Sequence, residues 1–280
     1  NDPIQLRDYQ KKAIDAWCAN QYHGFYVMAT GTGKTWTAIY SAIELLKTHP
    51  AMVVICAPYK HLVRQWAEDV TKAAPDAKLI MVSSENQGWE QQLNQEIVRQ
   101  RMRKETQIIV ISTITSFNLK RFQQILCKSK QEKLLIVDEA HRFTNRPEFL
   151  KTQFQYMLGL SATPFSGKNT AKGLELMNFF GGQVFNLPIE AALDKGFLVK
   201  YYYHPIFVYA SNDDEERFRK KSSQIAGCFR NGVCIDPENL ALHLRARLRI
   251  ISMAQEKIDK IEEILRTIKE KNHFIVYCGD

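Results

Sequence analysis

No apolar run in this 280-residue chain approaches the ~18 residues that a membrane-spanning helix requires, which excludes a helical span. Its first residues carry no signal-peptide pattern. The six cysteines (Cys18, Cys56, Cys127, Cys228, Cys234, Cys278) contain no C-x-x-C pair, and Cys56 and Cys278 fall on apolar, strand-like runs. That is the usage of reduced core thiols, and cytoplasmic localisation is the expectation. Cys228 and Cys234 are close enough to bridge or to share a zinc ion, although no second ligand pair lies nearby.

What is present is enough chain to bury a full core, as one large domain or two small ones. A net charge of +8 is unevenly spread. Between Arg99 and Lys133 nine basic residues face only Glu105 and Glu132. Such a window is either a phosphate-binding patch or a set of solvated helix faces flanking the apolar run Gln107–Ile111.

The run Met28-Ala29-Thr30-Gly31-Thr32-Gly33-Lys34-Thr35 follows the apolar stretch Gly24–Met28 and precedes a helical pattern, Lys34–Lys47. Strand, glycine loop and helix in that order leave backbone N–H groups free to cradle phosphate at a helix N-terminus. Thr30, Gly31, Thr32 and Gly33 form the cradle, Lys34 reaches the β- and γ-phosphates, and Thr35 offers a hydroxyl to Mg²⁺. Met28 stands where the general phosphate-loop pattern has glycine, which is tolerable if it still belongs to the strand.

Further on, Lys133-Leu134-Leu135-Ile136-Val137-Asp138-Glu139-Ala140-His141 reads as a buried parallel strand with two acids at its C-terminal end, where open α/β sheets bind ligands. Asp138 is the candidate metal carboxylate and Glu139 the candidate base for the attacking water. Between these motifs, strands at Ala51–Cys56, Ala77–Val82, Gln107–Ile111 and Tyr156–Leu160 alternate with helices at Lys60–Ala73, Trp89–Lys104 and Leu119–Lys128. Strands alternating with helices predict an α/β fold: a parallel sheet covered on both faces, of the P-loop NTPase kind. Trp36, Trp66 and Trp89 read as core anchors on amphipathic helices.

Beyond Ser161, residues Pro164–Lys172 read as a loop, Pro188 opens a short helix, and Gly196–Val208, with Tyr201, Tyr202 and Tyr203, reads as a strand. Residues 211–272 hold 13 basic and 11 acidic residues. There Leu244, Leu248, Ile251, Ala254, Ile258, Ile261, Leu265 and Ile268 predict one amphipathic helix of roughly 30 residues.

The motifs together resemble the first motor domain of superfamily 2 helicases and translocases of the DEAH-box type. Leu6-Arg7-Asp8-Tyr9-Gln10, the phosphate loop, Ala57-Pro58-Tyr59-Lys60, Ser112-Thr113-Ile114-Thr115-Ser116, Asp138-Glu139-Ala140-His141 and Leu160-Ser161-Ala162-Thr163 occur in the family's order across residues 4–165. The phrasing is most similar to restriction-enzyme motor subunits and xeroderma group B-type repair translocases. The resemblance implies a RecA-like fold and ATP with Mg²⁺ as ligands. It implies that Gln10, helped by Arg7, reads adenine. His141 would join Lys34, Asp138 and Glu139 in the catalytic set and pass the ATP state to Ser161 and Thr163. Pro58, Lys60, Thr113 and Ser116 would lie near nucleic-acid phosphates, although Thr113 or Ser116 equally suits a helix cap.

It further implies a first motor domain over residues 1–210, a helical linker over 211–272 and, at 273–280, the first strand of a second motor domain that closes on ATP. The stretch then reads as a piece of a larger protein, weakly active by itself, acting on DNA with further restriction or repair subunits and with no membrane role. A DExH-type RNA helicase and an ATP-regulated nucleic-acid sensor are the alternatives.

Overall fold

Seven strands pair into one parallel sheet in a computed structural model of the chain, which describes residues 5–102, 107–144, 149–164, 170–200 and 202–268. The strands are β1 (His23–Met28), β2 (Ala51–Ala57), β3 (Lys78–Val82), β4 (Ile108–Thr113), β5 (Glu132–Val137), β6 (Tyr156–Ser161) and β7 (Gln183–Leu187). Their order across the sheet is β3-β4-β2-β5-β6-β1-β7, every pairing parallel. Strands β2, β4 and β6 are buried along their whole length, as a sheet covered on both sides requires.

The pleat sends alternate residues to opposite faces. Val53 and Ile55 meet α1 (Asp8–Ala19), α2 (Lys34–Leu46) and α3 (Lys60–Ala73) through Trp17, Ala38 and Trp66. Met52, Val54 and Cys56 meet α4 (Trp89–Met102), α5 (Ile114–Phe117) and α6 (Lys120–Lys128) through Trp89, Phe117 and Phe122. Helices α7 (Phe149–Gln153) and α8 (Thr170–Phe179) complete that second layer, and α9 (Ile189–Asp194) caps the first. Because all seven strands run the same way, the ends of β1, β2, β4, β5 and β6 deliver the phosphate loop, Pro58, Thr113, Asp138 and Ser161 to one edge. The expected α/β, RecA-like architecture is the one observed.

Three local expectations change. The stretch after Ser161 contains α8 from Thr170 and then β7, a seventh strand beside β1. Its polar Gln183 and Asn186 hide it from an apolar-run criterion, since an edge strand is only partly covered. The strand expected at Gly196–Val208 is absent among the described residues. Phe197 instead packs on Tyr9 with ring centroids 4.4 Å apart, while Tyr202, Tyr203, Phe207 and Tyr209 are exposed. Aromatic β-propensity has no effect there without a neighbouring strand to pair with.

The single long helix is two, α11 (Pro237–Ser252) and α12 (Gln255–Thr267), which follow α10 (Asn212–Gly227) and the hairpin of β8 (Phe229–Arg230) and β9 (Val233–Cys234). Extended backbone at Ala254 (φ −57°, ψ 127°) breaks the helix without glycine or proline, and it leaves Ala254 buried while Leu248 and Met253 stay exposed. Cys228 and Cys234 flank that hairpin as free thiols.

The chain divides into two compact units, residues 1–200 and 201–280. The expected helical linker at 211–272 lies in the second, and residues 273–280, read as the start of a further domain, fall outside the described residues. Among the described residues no helix is long and apolar enough to cross a membrane.

Candidate nucleotide site and nucleic-acid edge

The phosphate loop is built on two left-handed glycines, Gly31 (φ +83°) and Gly33 (φ +81°), a conformation that disfavours any side chain. Gly33 is also the N-cap of α2 and offers no side chain to the first helical N–H groups, leaving them for an anion. Two residues brace the loop. Tyr9 Oη donates to Thr32 O at 2.6 Å, and Thr32 Oγ1 donates to Ala29 O at 2.6 Å. Lys34 is buried, and its ammonium donates to Met28 O at 3.2 Å. Burial pushes its pKa down, opposed by the nearby carboxylates of Glu139 and Asp138, so the cation and both acids share one neighbourhood.

Gln10 is buried against the same loop. Its Oε1 accepts the Arg7 N–H at 2.9 Å, and its Nε2 donates to Gly33 O at 3.3 Å and to Thr37 Oγ1 at 3.1 Å. The Arg7 guanidinium lies 5.6 Å over the Phe197 ring, whose other contact is Tyr9. Thr30 is exposed at the mouth of the loop and Thr35 is half-buried in the first turn of α2.

Asp138 directly follows β5 with both carboxylate oxygens engaged: Oδ1 accepts the Glu139 N–H at 2.9 Å and Oδ2 accepts the Trp66 indole N–H at 2.9 Å. Glu139 itself has left-handed backbone (φ 44°, ψ 49°), rare for a residue with a side chain and characteristic of functional sites. Its Oε2 lies 3.3 Å from His141 Nδ1, and that nitrogen lies 3.1 Å from Ser161 Oγ. Ser161 Oγ in turn accepts the Thr163 N–H at 3.1 Å. Lys34, Asp138, Glu139, His141, Ser161 and Thr163 therefore stand at the ends of three neighbouring strands, β1, β6 and β5.

The donor chemistry suits a hard divalent cation. Thr35 and Asp138 would supply one hydroxyl and one carboxylate, and among the described residues no cluster of three or more His, Cys, Asp or Glu side chains could hold a metal unaided. Mg²⁺ is bound in this sparing way, with substrate phosphates and water completing its shell.

Along the same edge, Pro58 is half-buried and Lys60 exposed at the start of α3. Between them Tyr59 stacks on His61 (centroids 5.5 Å apart, planes 12° apart) and carries Arg142 5.0 Å above its ring. Thr113 caps α5, its Oγ1 accepting the Ser116 N–H at 3.0 Å and donating to Ser116 Oγ at 2.9 Å. Ser116 also lines a cleft of about 470 Å³ with Ser83, Asn86, Gln87 and Thr115.

The basic window is less open than its composition. Arg99 pairs with Glu96 and Arg121 with Glu90, Lys133 is buried on the carbonyls of Ser129 and Gln131, and Arg103 and Lys104 lie outside the described residues. Tyr9, Trp66 and Phe197, expected as a motif residue, a core anchor and a strand residue, also touch the site. The sequence signal for Tyr9 was its place beside Gln10, whereas Trp66 and Phe197 meet the site only through the tertiary fold.

A family model described as the type III restriction enzyme res subunit matches residues 3–166. The chain belongs to this family. As a res-family chain it is 26% identical over 301 residues to the DNA 3'-5' translocase XPB2 of Sulfurisphaera tokodaii, covering all of this chain and 61% of that protein. It is 25% identical over 282 residues to putative helicase 22 of Sulfolobus islandicus filamentous virus, covering 97% of this chain and 45% of that one. The chain thus spans less than two thirds of either relative.

Among solved structures, a nuclease-deletion mutant of the type ISP restriction-modification enzyme LlaGI, in complex with a DNA substrate mimic, superposes with a TM-score of 0.58 at 16% identity. That match covers 98% of this chain and 34% of LlaGI. The Pyrococcus furiosus Hef helicase domain superposes with a TM-score of 0.53 at 21% identity over 95% of this chain and 55% of that one. At those identities the likeness establishes fold. The expected resemblance to superfamily 2 helicases and translocases therefore holds through restriction-enzyme and DNA-translocase relatives, and the family implies nucleotide use.

Proposed function

We propose that this chain is the ATP-binding half of a motor that moves along or unwinds DNA, hydrolysing ATP with Mg²⁺. The observation that carries the reading is the convergence of Lys34, Asp138, Glu139 and the His141–Ser161 pair on one sheet edge that also presents Pro58, Lys60, Thr113 and Ser116.

The loop N–H groups from Thr30 to Thr35 hold the phosphates, and Lys34 exchanges its bond to Met28 O for the β- and γ-phosphate oxygens. Thr35 and Asp138 would hold Mg²⁺, which when bound would supply positive charge to the phosphates. Glu139 orients the attacking water and takes its proton, its left-handed backbone fixing where the carboxylate starts. Gln10, helped by Arg7, reads adenine in this proposal, though the Gln10 amide is also bonded to the Arg7 N–H, Gly33 O and Thr37 Oγ1. His141 touches both Glu139 and Ser161, so loss of the γ-phosphate beside Glu139 reaches Thr163 through two hydrogen bonds. In this reading a second motor domain closes on the nucleotide and adds charge at the transition state, so the chain alone turns over slowly.

DNA is favoured as the track because XPB2 is named a DNA translocase and LlaGI was solved on a DNA substrate mimic. Further restriction or repair subunits are the corresponding partners. The test is ATP hydrolysis by the full-length protein with DNA, with RNA and with neither, beside Glu139→Gln. Stimulation by DNA that Glu139→Gln abolishes is the expected result. Stimulation by RNA alone would transfer the reading to an RNA helicase. Absence of any stimulation, with ATP still bound, would leave a regulated binding module.

A further inference from the structure

Two tryptophans in the first core layer satisfy their buried indole N–H groups in different ways. Trp17 donates to a backbone carbonyl, Met157 O, at 3.0 Å, the ordinary solution for a core anchor. Trp66, 1% exposed, donates instead to Asp138 Oδ2 at 2.9 Å. With the Glu139 N–H on Oδ1, that bond fixes the rotation of the carboxylate. Trp66 stands on α3, the helix that begins at Lys60 and has Tyr59 as its N-cap. One rigid element thus carries a candidate phosphate-contacting turn at its start and a grip on the metal-facing carboxylate further along.

We propose that Trp66 is a positioning residue for Asp138, and that α3 transmits contact with a nucleic-acid backbone at its N-terminal turn to that carboxylate. The inference rests on the nucleotide-site reading above. It describes a route separate from the His141–Ser161 contact, because it reaches Asp138 from the opposite side of the strand order, through the helix after β2. Removing the indole N–H leaves Oδ2 facing an apolar ring, with the carboxylate free to turn about its remaining bond. Loss of a partner that orients a metal ligand typically weakens metal binding by about 10–100-fold.

Two readouts test this without relying on turnover. The first is the Mg²⁺ dependence of binding of a fluorescent ATP analogue to the wild type, Trp66→Phe, Asp138→Asn and the double variant. Trp66→Phe is expected to raise the half-saturating Mg²⁺ concentration about tenfold, and to add nothing once Asp138→Asn is present. The second is the indole N–H region of a ¹H–¹⁵N spectrum, where the chain's four tryptophans give separate signals. The signal missing from Trp66→Phe is expected to move in Asp138→Asn, and to move again when a DNA oligonucleotide is added without nucleotide.

An unchanged Mg²⁺ dependence, or an indole signal indifferent to Asp138→Asn, overturns the positioning role. A signal indifferent to DNA overturns the link through α3. If Trp66→Phe does not fold, a signal assigned in the wild type and followed into Asp138→Asn still decides the first point. Failure of DNA to stimulate hydrolysis would sink the motor reading while leaving the Mg²⁺ and indole results readable, so the two failures are distinguishable.

Discussion

His141 Nδ1 lies 3.1 Å from Ser161 Oγ, tying the turn after β5 to the last residue of β6. The Ser161 hydroxyl then reaches the Thr163 backbone, so a displacement of His141 has a direct mechanical route out of the nucleotide site. Ser161→Ala cuts this route without touching Lys34, Asp138 or Glu139. ATP binding and unstimulated hydrolysis are expected to survive, while stimulation by DNA falls roughly tenfold, within the usual range of coupling energies. Steady-state hydrolysis with and without DNA measures both, and equal losses in the two would show that Ser161 supports the site rather than couples it.

Gln10 ties the start of α1 to the phosphate loop and α2: it accepts the Arg7 N–H and donates to Gly33 O in the loop and to Thr37 Oγ1 on α2. Gln10→Ala removes one donor from Thr37 Oγ1 and from Gly33 O, which stay bonded to each other, at an expected cost of about 0.5–1.5 kcal/mol in stability. Urea unfolding reads that loss. Adenine selection is a separate matter, read by competition between ATP and GTP. A variant that loses stability but keeps its preference for ATP would confine Gln10 to bracing the loop.

Lys34 is a buried cation whose ammonium is lodged on a backbone carbonyl. Burying charge is unfavourable until a strong partner arrives, so Lys34→Met is expected to abolish nucleotide binding without lowering the melting temperature of the nucleotide-free protein. Calorimetry with and without ATP checks both halves. A melting temperature that falls in the nucleotide-free variant would contradict the electrostatic argument.

The thiols divide sharply by setting. Burial pushes Cys56 up to about 12, whereas Cys127 is exposed on α6. The thiolate is the reactive form, so Cys127 is expected to react quickly with a disulfide reagent and Cys56 only after denaturation. Cys127→Ser should remove one thiol from the fast phase. Rapid labelling of Cys56 in the native protein would mean that the sheet opens between β2 and β4.

The central sheet was legible because its strands are continuous apolar runs and its helices carry clear periodicity, as at Lys60–Ala73, where expectation and structure coincide. The candidate nucleotide site was legible as a constellation because phosphate chemistry requires particular residue types at fixed spacings after strands, and the fold brings those residues to one sheet edge. What escaped depends on context. Strand β7 forms because β1 offers it an edge, and its own residues alternate only weakly. The aromatic run near Tyr202 finds no such edge, and the break at Ala254 has no glycine or proline to announce it. Trp66 read as a core anchor on α3 and is one; its bond to Asp138 crosses between segments far apart in sequence, which no local pattern records.

The backbone of Glu139 sets folding and chemistry against each other at a single residue. A left-handed conformation carries no penalty for glycine and a definite one for glutamate. A screen that rewards stability alone would favour glycine at Glu139 as at Gln21, Tyr22 and Asn231, and under the proposed function only the change at Glu139 would also remove turnover.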